Sequence, residues 1–177
     1  PLSILEGTIV DVTEHKRTEE ALRESESSIL SLYNIASSQS LTFADKAQAL
    51  LDLGCQRFGM EIGILAKVQG ESYEVVAVRS PDNSIVRGVV LELSDTYCRE
   101  TLEARATVWF EHAGSSPRRA HPAYSSWGME SYLGAPVRVA GRVFGTLNFA
   151  RPPPPSAARE QDGRLPETRA YATPRQP

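Results

Sequence analysis

Little in this 177-residue sequence could serve a catalyst. It has two cysteines, Cys55 and Cys98, with no CxxC pair and no Cys/His cluster at metal-ligand spacing, so the zinc-site and dithiol classes drop out. A Cys55–Cys98 disulfide is open on arithmetic alone, but the expected compartment argues against it. His15, His112 and His121 lie far apart and form no HExxH pattern. Basic charge is not in excess: 19 Lys and Arg face 22 Asp and Glu, for a net charge of −3. The cations are scattered, and no nucleic-acid partner is expected. No apolar run reaches the roughly 20 residues that cross a bilayer. Residues 1–13 lack the basic start and long apolar centre of a signal peptide. No membrane contact and a cytoplasmic location are therefore expected. No Walker loop, paired carboxylates or nucleophile–base pair stands out, and Gly141-x-x-x-Gly145 is a strand feature rather than a phosphate loop. The expectation is a non-enzymatic segment with no catalytic residues, no metal and no evident cofactor. A small-molecule ligand of unknown identity stays open.

What is present divides by pattern. Leu2 to Val12 reads as a short strand with Ile4, Ile9 and Val10. Asp11 fits a helix N-cap with Glu14 three residues on, and a helix is predicted from Val12 to about Ser38. Leu22, Ile29 and Ala36 recur every seven residues, which puts Thr18, Ser25 and Leu32 at the d positions of the heptad. The seam is thin because two of these three are polar. It suits either a solvated helix or one that pairs with a second copy.

From Thr42 the composition turns globular. Thr42 caps a predicted helix to about Phe58, with Phe43, Ala47, Leu50, Leu51, Gly54 and Phe58 on one face. A hairpin follows, turning at Gln69-Gly70-Glu71, and then turn chemistry at residues 80–84. "RGVVLEL" and "TVWFEH" read as strands. Between them a short helix capped by Ser94 carries Tyr97, Cys98, Thr101 and Leu102 on one face. Residues 113–128 read as a long polar loop with a helical turn near its end. Two last strands meet at Ala140-Gly141, with Leu133, Ala135, Val137 and Val139 alternating on one, and Val143, Gly145, Leu147 and Phe149 on the other. Six strands joined by hairpins give an α+β fold with a largely antiparallel sheet. After Ala150 come seven of the twelve prolines and only two large apolar residues, Leu165 and Tyr171. Such a segment cannot bury enough surface to offset its ordering entropy, so residues 151–177 are expected to be disordered.

Two stretches resemble known sensor modules. "GTIVDVTEHKRTEEALRES" resembles the C-terminal end of a PAS domain: a last strand closing on Asp11-Val12-Thr13, then a helix bearing Lys16, Glu20, Ala21 and Leu22. The resemblance implies that residues 1–13 are the end of a domain lying upstream. It further implies that residues 14–38 are a signalling helix, that Asp11 and Thr13 couple sheet to helix, and that Leu22 and Ile29 pair in a homodimer. Residues 39–150 resemble a GAF domain, through "TYCRETLEARATVWFEHA" and above all "GMESYLGAPVRVAGRVFGTLNF". GAF domains end in an amphipathic helix leading to an output domain, and the proline-rich tail departs from that pattern. A piece of a longer protein with a truncated or aberrant end is expected. The family context implies the sensor part of a bacterial two-component histidine kinase, with its output domain missing here.

Tyr97, Trp109, Tyr124, Trp127 and Tyr132 are candidates for lining a ligand pocket between sheet and loop, with Cys98 beside them; the plainer reading is that most are core or cover residues and only two or three touch a ligand. Cys98 has two readings: a bilin-attachment or redox thiol, or a small buried hydrophobe in register with Leu102. The second is preferred, since bilin-binding relatives carry their cysteine later, around positions 117–127 here. His112 and His121 could ligate haem, but a lone loop histidine is ordinarily solvated. Arg118-Arg119 reads as a solvent-facing pair. The alternative functions are a bilin, haem or redox GAF protein using Cys98, or the sensor part of a cyclic-di-nucleotide enzyme.

Overall fold

The computed structural model describes residues 13–152, and the chain divides into two units, Pro1–Ser38 and Gln39–Pro177. The expected strand at Leu2–Val12, the Asp11 cap and the tail beyond residue 152 lie outside the described residues.

The first unit is helix α1, Thr13–Ser37, with Glu14 in its first turn, where a carboxylate complements the helix dipole. Its hydroxyls turn back on the helix itself: Thr18 Oγ1 donates to the Glu14 carbonyl at 2.9 Å, and Ser28, Ser31 and Ser37 repeat the pattern one turn up their own stretches. A seam position such as Thr18 is thereby satisfied without a partner.

The second unit begins with α2, Phe43–Phe58. Thr42 and Asp45 form a capping box, and Gly59 ends the helix in the left-handed conformation (φ 62°) that favours glycine. Strands β1 (Ile62–Gln69), β2 (Ser72–Arg79), β3 (Val90–Glu92), β4 (Val108–Phe110), β5 (Ser131–Val139) and β6 (Arg142–Arg151) follow, with α3 (Cys98–Ala104) between β3 and β4 and α4 (Pro122–Ser125) before β5. They form one antiparallel sheet in the order β3-β2-β1-β6-β5-β4, which is the α+β architecture expected. The β5–β6 connection is a two-residue turn in which Ala140 and Gly141 both have positive φ, 49° and 78°, the geometry that matches strand twist. Pro136 lies past the three residues that β4 pairs, so its missing N–H removes no ladder bond on that side.

The two faces of the sheet bury different things. On one, Leu51 and Cys55 of α2 pack with Phe149, joined by Met60, Ala77, Leu133 and Leu147. The face of α2 that does this is Ala47, Leu51, Gly54 and Cys55. Phe43, expected there, is exposed, and Phe58 is half-exposed with its ring 5.4 Å from that of Phe149. Gly54 is where the helix meets the sheet: a β-carbon there would run into the Phe149 ring. The other face carries the larger core, from Ile62, Ile64 and Ala66 through Tyr73, Val75 and Tyr97 to Tyr132, under α3 and the 113–128 connection.

One expectation is corrected. The helix after β3 does not start at a Ser94 cap. Ser94 lies in a 3-10 turn, Leu93–Asp95, and α3 begins at Cys98 after Tyr97, with no side-chain cap. The Thr96 hydroxyl instead donates to the Leu93 carbonyl at 2.9 Å and interrupts the helix there. The helical turn expected near the end of residues 113–128 is α4, and two 3-10 turns, Ala113–Ser115 and Pro117–Ala120, precede it.

Replacing Gly54 with Val tests the α2–sheet contact. With no room at the Phe149 ring, Gly54→Val is expected to cost about 1–3 kcal/mol, read as a lower urea midpoint. An unchanged midpoint would show that the contact is loose.

Candidate functional site

The site lies on the sheet face beneath α3. Along β6, Thr146 and Asn148 point to this face while Leu147 and Phe149 point to α2. Thr146 is fully buried and Asn148 nearly so. Asn148 Nδ2 donates to Tyr73 Oη at 3.0 Å, with the Ile64 carbonyl at 3.4 Å and Thr146 Oγ1 at 3.5 Å. Thr101 of α3 and Tyr132 of β5 join hydroxyls at 2.7 Å. Tyr132 Oη reaches Cys98 Sγ at 3.5 Å. The thiol also lies against the hydroxyls of Thr146 and Tyr73. The fully buried residues of highest polarity in the domain thus meet in one cluster, and none of its members is a Lys, Arg, Asp or Glu.

Neutrality follows from desolvation. A hydroxyl, thiol or amide with a partner tolerates burial, whereas a lone charge does not. Burial pushes the Tyr73 and Tyr132 phenols and the Cys98 thiol above their ordinary values, so each keeps its proton. Cys98 therefore lacks the thiolate that attachment or redox chemistry requires, and at 2% exposure no reagent reaches it. It packs as the small buried residue that its register with Leu102 indicated. Cys55 is likewise buried in the α2 core.

Around the cluster runs an aromatic wall. The Tyr97 ring meets Phe110 edge-on at 4.9 Å and Tyr132 at 5.4 Å, and Phe110 stacks on Tyr132 at 5.5 Å. Tyr97 Oη donates to the Met129 carbonyl at 3.2 Å. Tyr124 and Trp127 pack, partly buried, against the same core. Five of the six pocket candidates therefore converge here. Trp109 does not. It is 70% exposed, because strand alternation turns it to the face opposite its neighbours Val108 and Phe110.

The 113–128 connection is tied down by Arg118, which sequence placed in solvent. Its guanidinium pairs with the Glu100 carboxylate through Nη2 at 2.7 Å and Nε at 3.1 Å, and lies 4.1 Å over the Phe110 ring. Only Arg119 of the basic pair is exposed. His121 sits 4.6 Å from the Tyr97 ring, and its Nδ1 accepts the Ala123 N–H at 3.1 Å, capping α4. His112 is solvent-facing, with a left-handed backbone (φ 57°). The two histidines do not converge, and among the described residues no group of three His, Cys, Asp or Glu could hold a metal. Also among the described residues, no helix is long and apolar enough to cross a membrane.

Of the expected relay residues, Asp11 lies outside the described residues and Thr13 is the first residue of α1. Leu22 and Ile29 are 59% and 62% exposed. Sequence reasoning missed Tyr73, Thr101, Thr146, Asn148, Phe110 and the Arg118–Glu100 pair. Only the uninterrupted burial expected of a central strand could have signalled Thr146 and Asn148 as inward polar residues.

The GAF domain family model matches residues 40–168, reaching past the expected boundary at residue 150. No curated protein matches the chain. Among solved structures, the chain is similar to the GAF domain of an Acinetobacter phosphoenolpyruvate-protein phosphotransferase (19% identity over 75% of this chain and 83% of that one, TM-score 0.54). It is similar to the free methionine-R-sulfoxide reductase of Neisseria meningitidis, solved with its substrate (15% identity, 85% and 81% covered, TM-score 0.56). It is also similar to the phycocyanobilin-bound GAF domain of a cyanobacterial phytochrome (17% identity, 70% and 79% covered, TM-score 0.56). At these identities the likeness establishes the fold.

Burial holds the His121 imidazole below its ordinary 6.5; the Arg118 cation acts the same way, and Glu100 and Asp95 oppose it. A folded value below the unfolded one means that the unfolded chain takes up the proton first. His121 thus contributes stability above about 6.5 that is lost as pH falls through the folded value. His121→Asn keeps a side-chain cap acceptor without that titration. The parent is expected to lose more stability than His121→Asn between about pH 7.5 and 5.5, measured by urea unfolding. Parallel losses would remove His121 from the account.

Proposed function

The chain belongs to the GAF domain family, a family of sensory and regulatory modules, and from that premise we propose that it is the sensor and relay part of a bacterial signal-transduction protein. In this proposal residues 1–13 end a PAS domain, α1 is the signalling helix, and the complete protein is a cytoplasmic two-component histidine kinase working as a homodimer. The chain itself passes on a conformational state and turns over no substrate. The observation that carries the proposal is the buried neutral cluster, in which α3, β2, β5 and β6 meet through hydroxyls, a thiol and one amide. Such a junction has no dedicated nucleophile or base, but it senses any change in the spacing of α3 and the sheet.

Relay requires two packings within a few kcal/mol of each other and a ligand or partner state that prefers one. Helix α1 is suited to the second half of that requirement. Leu22, Ile29, Leu30, Leu32 and Tyr33 are 45–67% exposed along it, and an apolar stripe of that density on a charged helix favours a second copy. The back-bonded Thr18 hydroxyl keeps a polar d position from opposing pairing outright. A pigment- or redox-bearing function through Cys98 is not favoured, because the thiol is buried and protonated.

Leu22→Asp and Ile29→Asp are each expected to weaken self-association of the chain at least tenfold, about 1.4 kcal/mol, in sedimentation equilibrium. Exposed substitutions in residues 60–110 such as Glu74→Gln should leave it unchanged. Identical sedimentation of the parent and both Asp variants would remove the helical dimer and with it the relay.

A further inference from the structure

His121 holds the 113–128 connection by both its side chain and its main chain. Nδ1 accepts the Ala123 N–H at 3.1 Å, and the His121 carbonyl accepts the N–H groups of Tyr124 and Ser125, each at 2.9 Å. The ring lies 4.6 Å from that of Tyr97, the residue directly before α3. The Ala123 bond needs a lone pair on Nδ1. An imidazolium donates from both nitrogens and accepts at neither, so proton uptake at Nδ1 removes the cap and sets two donors against each other. The charges facing the ring are mixed. Arg118, on the same connection, opposes a second cation, while Glu100 of α3 and Asp95 of the 3-10 turn before it attract one. Glu100 is already committed: both its carboxylate oxygens lie 2.7–3.3 Å from nitrogens of the Arg118 guanidinium. An imidazolium gains Glu100 only by loosening Arg118, the other tie of the connection to α3. The Tyr97 ring face also attracts a cation. Burial outweighs these attractions and keeps the folded imidazole below its ordinary 6.5.

We propose that His121 is an acid-sensitive latch of the site: on taking up a proton it releases residues 117–125 from Tyr97 and α3, while the sheet and α2 keep their fold. The proton comes from solvent, which the half-buried His121 meets. The sign follows from linkage. The released form takes up its proton near 6.5 and the closed form only below that value, so release grows as pH falls below about 6.5. Two ties fail together, because the charge that breaks the Ala123 cap also competes with Arg118 for Glu100. The neutral cluster beneath, from Thr101 and Tyr132 to Asn148, carries no group that titrates in this range and stays closed. The proposal deepens the sensory role above by naming the proton as an input, and rests on that role for its regulatory meaning. Its test does not involve α1, so loss of the helical dimer and loss of the latch are separable results.

The experiment follows amide hydrogen exchange at single residues in the full chain and its His121→Asn variant. Rates are taken at about pH 7.5 and 5.5 and corrected for the pH dependence of exchange in a free chain. In the parent, exchange at Ala123, Tyr124 and Ser125 is expected to rise about threefold or more between these values, with the β1–β2 hairpin unchanged. His121→Asn keeps a cap acceptor that does not titrate, and its exchange in α4 should stay flat. An equal rise in both proteins would assign the change to another group. A rise that includes the hairpin would be global unfolding, and no rise in the parent would mean that the latch stays shut; each of these overturns the proposal. Should His121→Asn not fold, the Trp109→Phe chain decides. Trp109 is exposed, and its replacement leaves Trp127, partly buried against the core, as the reporter. Trp127 emission should move to the red as pH falls, with the midpoint of the His121 ring followed by NMR in the same sample. Constant emission, or a different midpoint, overturns the proposal.

Discussion

Strand β6 lies at the centre of the sheet, paired to β1 over Ile62–Lys67 on one side and to β5 along nearly its whole length on the other. Almost everything else in the domain is positioned by that double pairing. It demands close backbone approach: a β-carbon on Gly145 would collide with the Ala66 carbonyl oxygen, so that residue has to be glycine. It also fixes which side chain goes where. Successive residues of a strand alternate faces, so Leu147 and Phe149 take the α2 core, and Thr146 and Asn148 have no choice but the site. A slip of one residue would send an amide and a hydroxyl into an apolar helix interface and two large hydrophobes into the polar cluster. The register is therefore enforced from both sides at once. The β1–β6 contact also joins residues about 80 positions apart in the chain, which puts its closure cost early and its reward late in folding.

The polar cluster withstands burial because its members satisfy one another. Asn148 brings two amide protons, which find Tyr73, Thr146 and a main-chain carbonyl, and Thr101, Tyr132 and Cys98 pass a chain of weak donors between α3 and β5. Each bond adds only about 0.5–1.5 kcal/mol net, but losing one partner exposes the full desolvation cost of the other. That asymmetry makes the cluster specific rather than strong. The ionic contact of the site is kept outward, where Arg118 and Glu100 are each about one-third exposed and water screens them. Charge anchors the 113–128 connection, and neutral groups tie the interior.

Much of the architecture was legible in the sequence, since hairpin turns, the Thr42 cap and period-two alternation are local signals. Six strands, their antiparallel sense and the Ala140-Gly141 turn all follow from residues adjacent in the chain. Five of the six pocket candidates gather in or against the core beneath α3, as large apolar side chains do with or without a ligand. The failures share a cause. Trp109 was read as pocket-lining because large aromatics usually are, but a three-residue edge strand offers its alternate position to solvent. Thr146 and Asn148 were passed over because a polar residue in an alternating strand normally faces water. In a central strand covered on both faces that rule reverses, and coverage is a tertiary fact. Arg118 paired with Glu100 across 18 residues, a distance at which charge patterning carries no information.

These features bear on the proposed relay, which requires a domain that holds a state and can still change it. A core of aliphatic side chains alone rearranges poorly, since close packing leaves few alternative arrangements of similar energy. A network bound by charges would be locked, because separating a buried ion pair costs several kcal/mol. The junction beneath α3 sits between these extremes. Its bonds are neutral, individually worth about 1 kcal/mol, and concentrated where one helix meets the sheet. Movement of α3 would exchange a hydroxyl–hydroxyl contact for another of similar strength without opening the core beneath α2, because Leu51, Cys55 and Phe149 lie on the far side of the sheet. A low-cost contact facing a stiff one across the same strands is the arrangement that confines a conformational change to one side and leaves the fold intact.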